Sequence, residues 1–404
     1  MFVSRAQHVG SLKRPDVLLQ KRSDFQAGKC TTEELKAVED ETIAEAVHLQ
    51  LNLGLDTITD GEYRRTMFYD GLFDCLDGFK VINDPPQHLF QTFNFVRYMP
   101  TTRICVKKLE RTKPLYGEAF DFLKKLAGPE NLAKLKLTLG APEWYHFRHG
   151  KYTYELTAYA NDDDYFADLI KIYRDEFRDL YARGCRHIQI DDPILVSFCD
   201  EKLRQLMLKE GVDPEALLDT YIHVLNGCIA DKPSDLLASV HICRGNVRPD
   251  RQPFIWGPYN RIAKKLFNDL NFENYYLEYD TERAGTFEPL QYLPRNKHVV
   301  LGLVSTKSPE LEDPVVLRGR IMDAAEVIAR GEVPRSVEEA LDQLSISPQC
   351  GFASHAPGFA AVTYEVCSLP WYFPMSDVLS PRVQDMVKKL TLVRDVARTV
   401  WGAT

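Results

Sequence analysis

The 404-residue sequence lacks the features that mark several large classes of protein. No apolar run approaches the roughly 20 residues that a membrane-spanning helix requires. Residues 1–8 contain no hydrophobic secretory segment, and residues 401–404 carry no lipidation or retention signal. These absences predict a protein that neither spans a membrane nor enters the secretory route.

Positive charge and paired cysteines are also scarce. The formal net charge is −8, which argues against a general nucleic-acid-binding protein. The nine cysteines are scattered and odd in number, so a disulfide framework is not expected and a reducing cytoplasm is the predicted compartment. Seven of them are interpreted as small buried apolar residues: Cys30, Cys75, Cys105, Cys185, Cys199, Cys228 and Cys367.

What the sequence does contain is an ordinary globular balance, 45% hydrophobic and 27% charged. The length suits one large α/β barrel with insertions or two average domains. About eight strand-like segments alternate with helical ones along the chain, which predicts an α/β fold of the (β/α)8 TIM-barrel type. We therefore expect residues 1–404 to form a single barrel domain that ends in an amphipathic helix at about 381–401.

Residues from about 71 to 130 interrupt this alternation. The segments Phe90 to Tyr98 and Arg103 to Leu109 have strand-like composition and are joined by Pro100-Thr101-Thr102. This pattern predicts a β-hairpin inserted after strand 2. The hairpin is expected at the rim of the barrel, where it either closes over the site or joins a partner subunit.

The most informative stretch is Val240-His241-Ile242-Cys243, at the end of an apolar strand. In an extended chain His241 and Cys243 point to the same side, and an imidazole with a thiolate is a ligand pair that zinc favours. Glu278 and Cys350 also follow strands, and the carboxyl ends of barrel strands meet at one mouth. Each cysteine alone is more simply explained as a buried apolar residue, but the joint placement of the four favours a zinc site.

Six stretches, taken in order, carry a family resemblance. They are Val9-Gly10-Ser11, Asp60-Gly61-Glu62, Ile188-Gln189-Ile190-Asp191-Asp192-Pro193, His241-Ile242-Cys243, Leu277-Glu278 and Gln349-Cys350-Gly351. With them the chain resembles the catalytic barrel of cobalamin-independent methionine synthases and their shorter single-barrel relatives. The resemblance implies a catalytic zinc held by His241, Cys243, Glu278 and Cys350.

The same resemblance implies an activity and a substrate pocket. The activity is that of a 5-methyltetrahydropteroyltriglutamate–homocysteine S-methyltransferase, which makes methionine. Ser11, Glu62 and Asp191 match the positions that hold the amino-acid part of the thiol substrate, and His8 either lines this pocket or is structural. Zinc would supply a thiolate near neutral pH, and Glu278 would detach to admit it. His355, or another histidine or aspartate at a strand end, would protonate the leaving group.

Departures from the family pattern leave the electrophile and the reaction open. Asp60 stands where the family commonly has histidine, the second barrel of the full-length enzymes is missing, and Arg244 and Arg248 follow the ligands. The electrophile is thus a methyl donor or another group such as an epoxide, and the two arginines are candidates to bind an anionic part of it. A metal-free lyase resembling uroporphyrinogen decarboxylase and a barrel whose zinc is structural are two further hypotheses. A small thiol and an alkyl donor are the expected partners, with a homo-oligomer possible.

The carboxylates also have a structural interpretation. Glu62 and Asp191 are alternatively rim carboxylates that pair with arginines such as Arg64. Asp192-Pro193 is alternatively only the cap of the helix that follows.

Overall fold

The computed structural model describes residues 4–94, 101–246, 255–353 and 383–402. Within these residues the strands form an antiparallel pair and a six-stranded parallel sheet whose strands are neighbours in chain order. The strands are β1 (Leu76–Asn83), β2 (Thr101–Arg111), β3 (Leu137–Gly140), β4 (His187–Asp192), β5 (Leu237–Ile242), β6 (Asn274–Glu278), β7 (His298–Val304) and β8 (Leu344–Pro348).

Two short segments complete the wall of the barrel between β8 and β3. Ala6 forms a parallel bridge with Ile346 of β8, and Ile58 forms one with Leu135 just before β3. The two segments meet where the Asp56 backbone N–H donates to the Ala6 carbonyl at 3.2 Å. Because this contact joins the first segment to the second, the sheet closes on itself, and the predicted (β/α)8 barrel is confirmed.

The strands of the parallel sheet are covered on both faces. Every residue of β3, β4, β6 and β8 is buried. This pattern is typical of parallel sheets, which helices cover on the outside and packed side chains fill on the inside. Polar residues within these strands are consequently costly unless they are paired or used.

Helices follow the strands and surround the barrel. They are α1 (Asp16–Gln26), α2 (Thr32–Leu53), α3 (Gly117–Ala127), α4 (Trp144–His149), α5 (Asp162–Ala182), α6 (Glu201–Lys209), α7 (Pro214–Ile229), α8 (Asn260–Asn268), α9 (Pro314–Ala329), α10 (Val337–Leu341) and α11 (Val383–Trp401). Thr31 and Glu34 form a capping box at the start of α2. Among the described residues, no helix is both long and apolar enough to cross a bilayer.

The inserted hairpin is present, but its first strand is not the one the sequence predicts. β2 pairs antiparallel with β1, which lies before residue 84, and residues 90–94 form no strand. Phe90 and Phe93 are instead buried, and their rings lie 4.9 Å from His149 and 5.4 Å from Phe147 of α4. Aromatic residues that anchor a loop to a helix imitate the composition of a strand, and residues 95–100 lie outside the described ranges.

Candidate active site

Four side chains of ligand type converge at the carboxyl ends of β5, β6 and β8. One ligand atom from each of His241, Cys243, Glu278 and Cys350 lies within 4.8 Å of all the others. His241 and Cys243 are two residues apart at the end of β5, where extended backbone points both to one side. The structure therefore brings together the four residues that the sequence predicts as ligands.

The spacing and the partners of these atoms fit a soft metal ion. The Cys243 and Cys350 sulfurs are 3.6 Å apart, and neither cysteine forms a disulfide. A disulfide would place them about 2 Å apart, whereas two thiolates on a tetrahedral zinc, each about 2.3 Å from the ion, lie about 3.8 Å apart. His241 is 1% exposed, and apart from the neighbouring Cys350 sulfur its ring nitrogens have no hydrogen-bond partner among the described residues. A buried imidazole without other partners is costly unless it ligates a cation.

The titration of these groups reflects how closely they are crowded. Burial lowers the pKa of His241, but the Cys350 sulfur, Asp191 and Glu278 outweigh it and raise the pKa to about 9. The neighbouring Cys350 sulfur and burial both raise the pKa of the Cys243 thiol well above its usual value. A divalent cation acts in the opposite direction, because it favours thiolate and neutral imidazole.

Glu278 accepts hydrogen bonds from other protein groups at both of its carboxylate oxygens. Its Oε1 accepts the backbone N–H of Arg244 at 2.7 Å, and its Oε2 accepts a hydrogen bond from Arg283. Lys307 Nζ lies 3.9 Å from the same Oε2. Burial raises the pKa of the Glu278 carboxyl, and the two cations oppose this shift.

The Arg244 side chain is held against an aromatic ring. Its guanidinium lies 4.0 Å from the centre of the Tyr259 ring and donates to the Gly257 carbonyl at 2.6 Å. The residue is fully buried, and its Nε and Nη2 have no hydrogen-bond partner among the described residues. The expectation that Arg244 binds an anionic part of a substrate stays a prediction, and Arg248 lies outside the described residues.

Glu62 lies near the cluster in an unusual conformation. Its φ of 59° is rare for a residue with a side chain, and it is 2% exposed. Thr138 donates to its Oε1 at 2.6 Å and Arg65 lies 3.7 Å from the same atom, while its Oε2 has no partner among the described residues. Burial raises the pKa of this carboxyl. Strain and an unsatisfied buried carboxylate together are typical of a functional group awaiting a cation.

Asp191 connects this carboxylate to the ligand cluster. It pairs in register with His241 on the adjacent strand β5, and its Oδ1 accepts a hydrogen bond from Gln189 at 2.6 Å. Burial, and then the negative charge of Glu62, raise the pKa of Asp191 to about 7. We refer to Glu62 and Asp191 below as the carboxylate pocket.

Ser11 lies against the residue that follows the ligand Cys350. The Ala353 N–H donates to Ser11 Oγ at 3.3 Å, and the Phe352 N–H donates to the Ser11 carbonyl at 2.9 Å. A methyl group placed on Gly351 would come within 2.0 Å of Ser11 Oγ, so only glycine allows this approach. The structure therefore places Ser11 beside the ligand cluster.

The sequence predicts roles for two further histidines, His8 and His355, and the structure describes only His8. His8 is buried, its Nε2 lies 2.9 Å from Gln50 Oε1 on α2, and burial lowers its pKa to about 3. An uncharged histidine bonded to a surrounding helix favours the structural role of the two left open. His355 lies outside the described residues, and its role stays a prediction.

The structural interpretation of the carboxylates holds only in part. Arg64 pairs with Glu39 and Asp40, not with Glu62. Asp192 does cap the turn that follows, because its Oδ1 accepts the N–H groups of Ile194 and Leu195.

Sequence reasoning missed the polar groups that support the carboxylate pocket from within the barrel. Lys136 Nζ donates to Gln189 Oε1 at 2.6 Å, which leaves Gln189 Nε2 to donate to Asp191. The signal was available, since Gln189 and Asp191 alternate on β4 and so share its inner face. Glu143 and Asp192 are two further buried carboxyl groups, and burial and the charge of Asp192 raise the pKa of Glu143. Their interaction carried no such signal, because the two residues lie 49 positions apart in sequence.

Comparisons with known proteins agree with the site. Residues 160–363, half of the chain, match the family model for the catalytic domain of cobalamin-independent synthase, a stretch that contains Asp191 and all four ligand-type residues. The chain belongs to the cobalamin-independent methionine synthase family. This membership confirms the resemblance seen in the sequence and makes the protein a methyltransferase of small molecules.

Individual relatives cover most of the chain. The uncharacterised protein YxjH of Bacillus subtilis is 34% identical over 88% of each chain. A methionine synthase of Saccharolobus islandicus is 29% identical over 85% of this chain and 86% of its own. Among solved structures, a putative vitamin-B12-independent methionine synthase from Listeria monocytogenes is 28% identical, with a TM-score of 0.71 over 100% of both chains. A B12-independent methionine synthase from Shewanella, 18% identical with a TM-score of 0.65 over 98% of both chains, shares the fold.

Proposed function

We propose that the protein is a zinc-dependent S-methyltransferase that methylates the thiol of an amino acid such as homocysteine. The observation that carries the proposal is the ligand cluster, with two sulfurs 3.6 Å apart and a buried imidazole beside them. His241, Cys243, Cys350 and Glu278 would hold the ion. When bound, zinc lowers the pKa of a substrate thiol and keeps the thiolate nucleophilic near neutral pH.

The carboxylate pocket would bind the ammonium group of the same substrate. Glu62 Oε2 is buried without a partner among the described residues, and Asp191 lies beside His241 in the barrel wall. An ammonium group between the two carboxylates would satisfy both and offset the cost of burying like charges. Ser11, beside Gly351, would contact the other polar end of the amino acid. Fixing the substrate at this end directs its thiol toward the ligand cluster.

The same geometry bears on the competing functions. A metal-free lyase has no use for two cysteines, a histidine and a glutamate that meet within 4.8 Å. A purely structural metal site would need no adjacent carboxylates with an unsatisfied oxygen. A methyl donor is favoured over an epoxide because relatives such as that of Saccharolobus islandicus are named methionine synthases. His355 remains the proposed proton donor to the leaving group.

The deciding experiment measures zinc in the purified protein by elemental analysis and X-ray absorption, with and without homocysteine. We expect one zinc per chain with two sulfur ligands, rising to three when the thiol is added. Absence of zinc, or a zinc whose coordination ignores every thiol, would overturn the proposal and favour the metal-free lyase.

A further inference from the structure

Arg14 is a buried cation that the proposed function does not use. The residue is 1% exposed, and although burial lowers its pKa to about 10, it is still charged at neutral pH. Its Nη1 donates to the Ala353 carbonyl at 2.8 Å, and its Nη2 donates to the Glu62 and Arg65 carbonyls at 3.1 and 2.8 Å. One side chain thus joins the turn that contains Glu62 to the loop that follows β8.

The first of these contacts holds a strained part of the carboxylate pocket. The direction of the Glu62 side chain depends on its left-handed backbone, and such a conformation persists only where the surrounding structure fixes it. The Asp60 carboxylate accepts the Glu62 N–H at 2.9 Å. The Glu62 carbonyl accepts the Arg65 N–H at 3.0 Å together with the Arg14 guanidinium. Both peptide groups that flank the Glu62 side chain are therefore held, and Arg14 helps to hold the second.

The other contact of Arg14 reaches the ligand cluster through the backbone. Ala353 comes three residues after Cys350 in the loop that follows β8. A guanidinium is planar and rigid, so its two terminal nitrogens fix the spacing between the carbonyls that they bind. In the proposed function Glu62 holds the ammonium group of the substrate, and Cys350 holds the ion that binds its thiol. The spacing that Arg14 fixes therefore bears on both ends of one substrate molecule.

We propose that Arg14 is a positioning residue that sets the distance between the carboxylate pocket and the ligand cluster, and so favours thiols that carry an ammonium group at the matching distance. The inference rests on the proposed function. Arg14 acts through the Glu62 and Ala353 backbones, to which it donates, and not by binding the substrate itself.

Replacing Arg14 distinguishes positioning from charge and from general support. Arg14→Met removes a positive charge that acts on the Glu62 carboxylate, and by electrostatics alone this loss would tighten the binding of an ammonium group. Positioning has the opposite sign, and we expect the Kd for homocysteine to rise about tenfold. The Kd for 4-mercaptobutyrate, which is homocysteine without its ammonium group, should not change. Loss of general support would weaken the binding of both thiols alike.

Arg22→Met is the matched control, since Arg22 is a second cation bonded to the same turn. It donates to the Arg65 carbonyl at 2.6 Å and to the Tyr63 carbonyl. It thus shares one acceptor with Arg14, but among the described residues it makes no hydrogen bond to Glu62 or to the loop after β8. This variant should bind both thiols as wild type does.

The experiment titrates the zinc-loaded wild type, Arg14→Met, Arg14→Lys and Arg22→Met with each thiol. Calorimetry measures the two dissociation constants, and absorption at the zinc edge reports the third sulfur ligand. Arg14→Lys keeps the charge but replaces the planar fork by one nitrogen, so its Kd for homocysteine should lie between those of wild type and Arg14→Met. It carries the test if the methionine variant fails to fold.

The outcomes separate the two proposals. A wild-type protein without zinc, or without a third sulfur on adding homocysteine, overturns the proposed function. A wild-type protein that binds both thiols equally well removes the carboxylate pocket and the role of Arg14 with it. A wild-type protein that prefers homocysteine, with Arg14 variants that keep this preference or lose it no more than Arg22→Met does, overturns the role of Arg14 alone.

Discussion

The ligand cluster and the carboxylate pocket lie next to each other, but they differ in the chemical groups that they bring together. In the cluster, groups of mixed chemistry converge within 4.8 Å and contact one another. In the pocket, the like charges of Glu62 and Asp191 raise each other's cost of burial, on a backbone strained at φ 59°. The first arrangement suits a metal ion and the second a singly charged cation. A molecule with a thiol at one end and an ammonium group at the other would complete both.

Replacing a residue of the ligand cluster should have the largest effect, and it should affect the cluster without changing the carboxylate pocket. We expect His241→Ala and Cys350→Ala to weaken zinc binding by more than about a hundredfold and to abolish activity. The barrel should still fold, because its core does not depend on the metal as a zinc finger does. Elemental analysis and thermal melting measure the two effects.

The control for this change is Cys185→Ala, a buried cysteine that bonds to the His187 carbonyl, away from the cluster. It should keep its zinc. Full zinc content in both ligand variants would remove the proposed site.

Neutralising the pocket should spare the metal and impair the substrate. Glu62→Gln should raise the KM for homocysteine by roughly thirtyfold, since a charge-assisted bond is worth about 2 kcal/mol, with zinc content unchanged. Thermal stability without substrate should change little, because the variant loses a buried oxygen that has no partner but also weakens the ion pair with Arg65, 3.7 Å away.

A thiol that lacks the ammonium group, such as 3-mercaptopropionate, serves as the control substrate. The variant and wild type should bind it alike. A drop in zinc content, or an equal loss for both thiols, would show that Glu62 supports the fold instead of the substrate.

A smaller effect is expected from a substitution that crowds the contact between Ser11 and Gly351. Gly351→Ala places a methyl group 2.0 Å from Ser11 Oγ and must displace Ser11. We expect about a tenfold loss of homocysteine affinity and a lower melting temperature, with zinc retained, because overpacking costs about 1–3 kcal/mol.

Gly319→Ala on α9 is the matched control, since nothing lies within 4 Å of the added methyl group. It should stabilise the protein by about 0.5–1 kcal/mol. Equal behaviour of the two variants in thiol binding would exclude Ser11 from the pocket.

The smallest effect is expected from a residue that supports the carboxylate pocket through a hydrogen bond to Asp191. Gln189→Met removes the bond of 2.6 Å to Asp191 and should raise the KM for homocysteine about fivefold, the value of about one net hydrogen bond. A fall in melting temperature with an unchanged KM would make Gln189 purely structural. Steady-state kinetics beside a melting curve distinguish the two.

Much of this site follows from local rules, and the rest does not. His241 and Cys243 can be identified because extended backbone points alternate residues to one side, and Cys350 because barrel strands end at a common mouth. The strain at Glu62 depends on contacts with Thr138 and Arg65 that no local pattern encodes.

The errors have similar physical causes. Phe90 and Phe93 suggest a strand because aromatic residues favour sheets, but burial against α4 decides their conformation. The choice between Arg64 and Arg65 as the partner of Glu62 depends on the direction of each side chain after a left-handed turn.

The contact between Ser11 and Ala353 joins residues 342 positions apart. During synthesis, Ser11 is therefore made long before Ala353, whose backbone N–H donates to its hydroxyl oxygen. Cys350 belongs to the same late stretch. A nascent chain therefore contains His241, Cys243 and Glu278 before the fourth residue of the cluster has been made. Contacts this distant are formed slowly and late, so any binding that needs both Ser11 and Cys350 would become possible only in the last step of barrel closure.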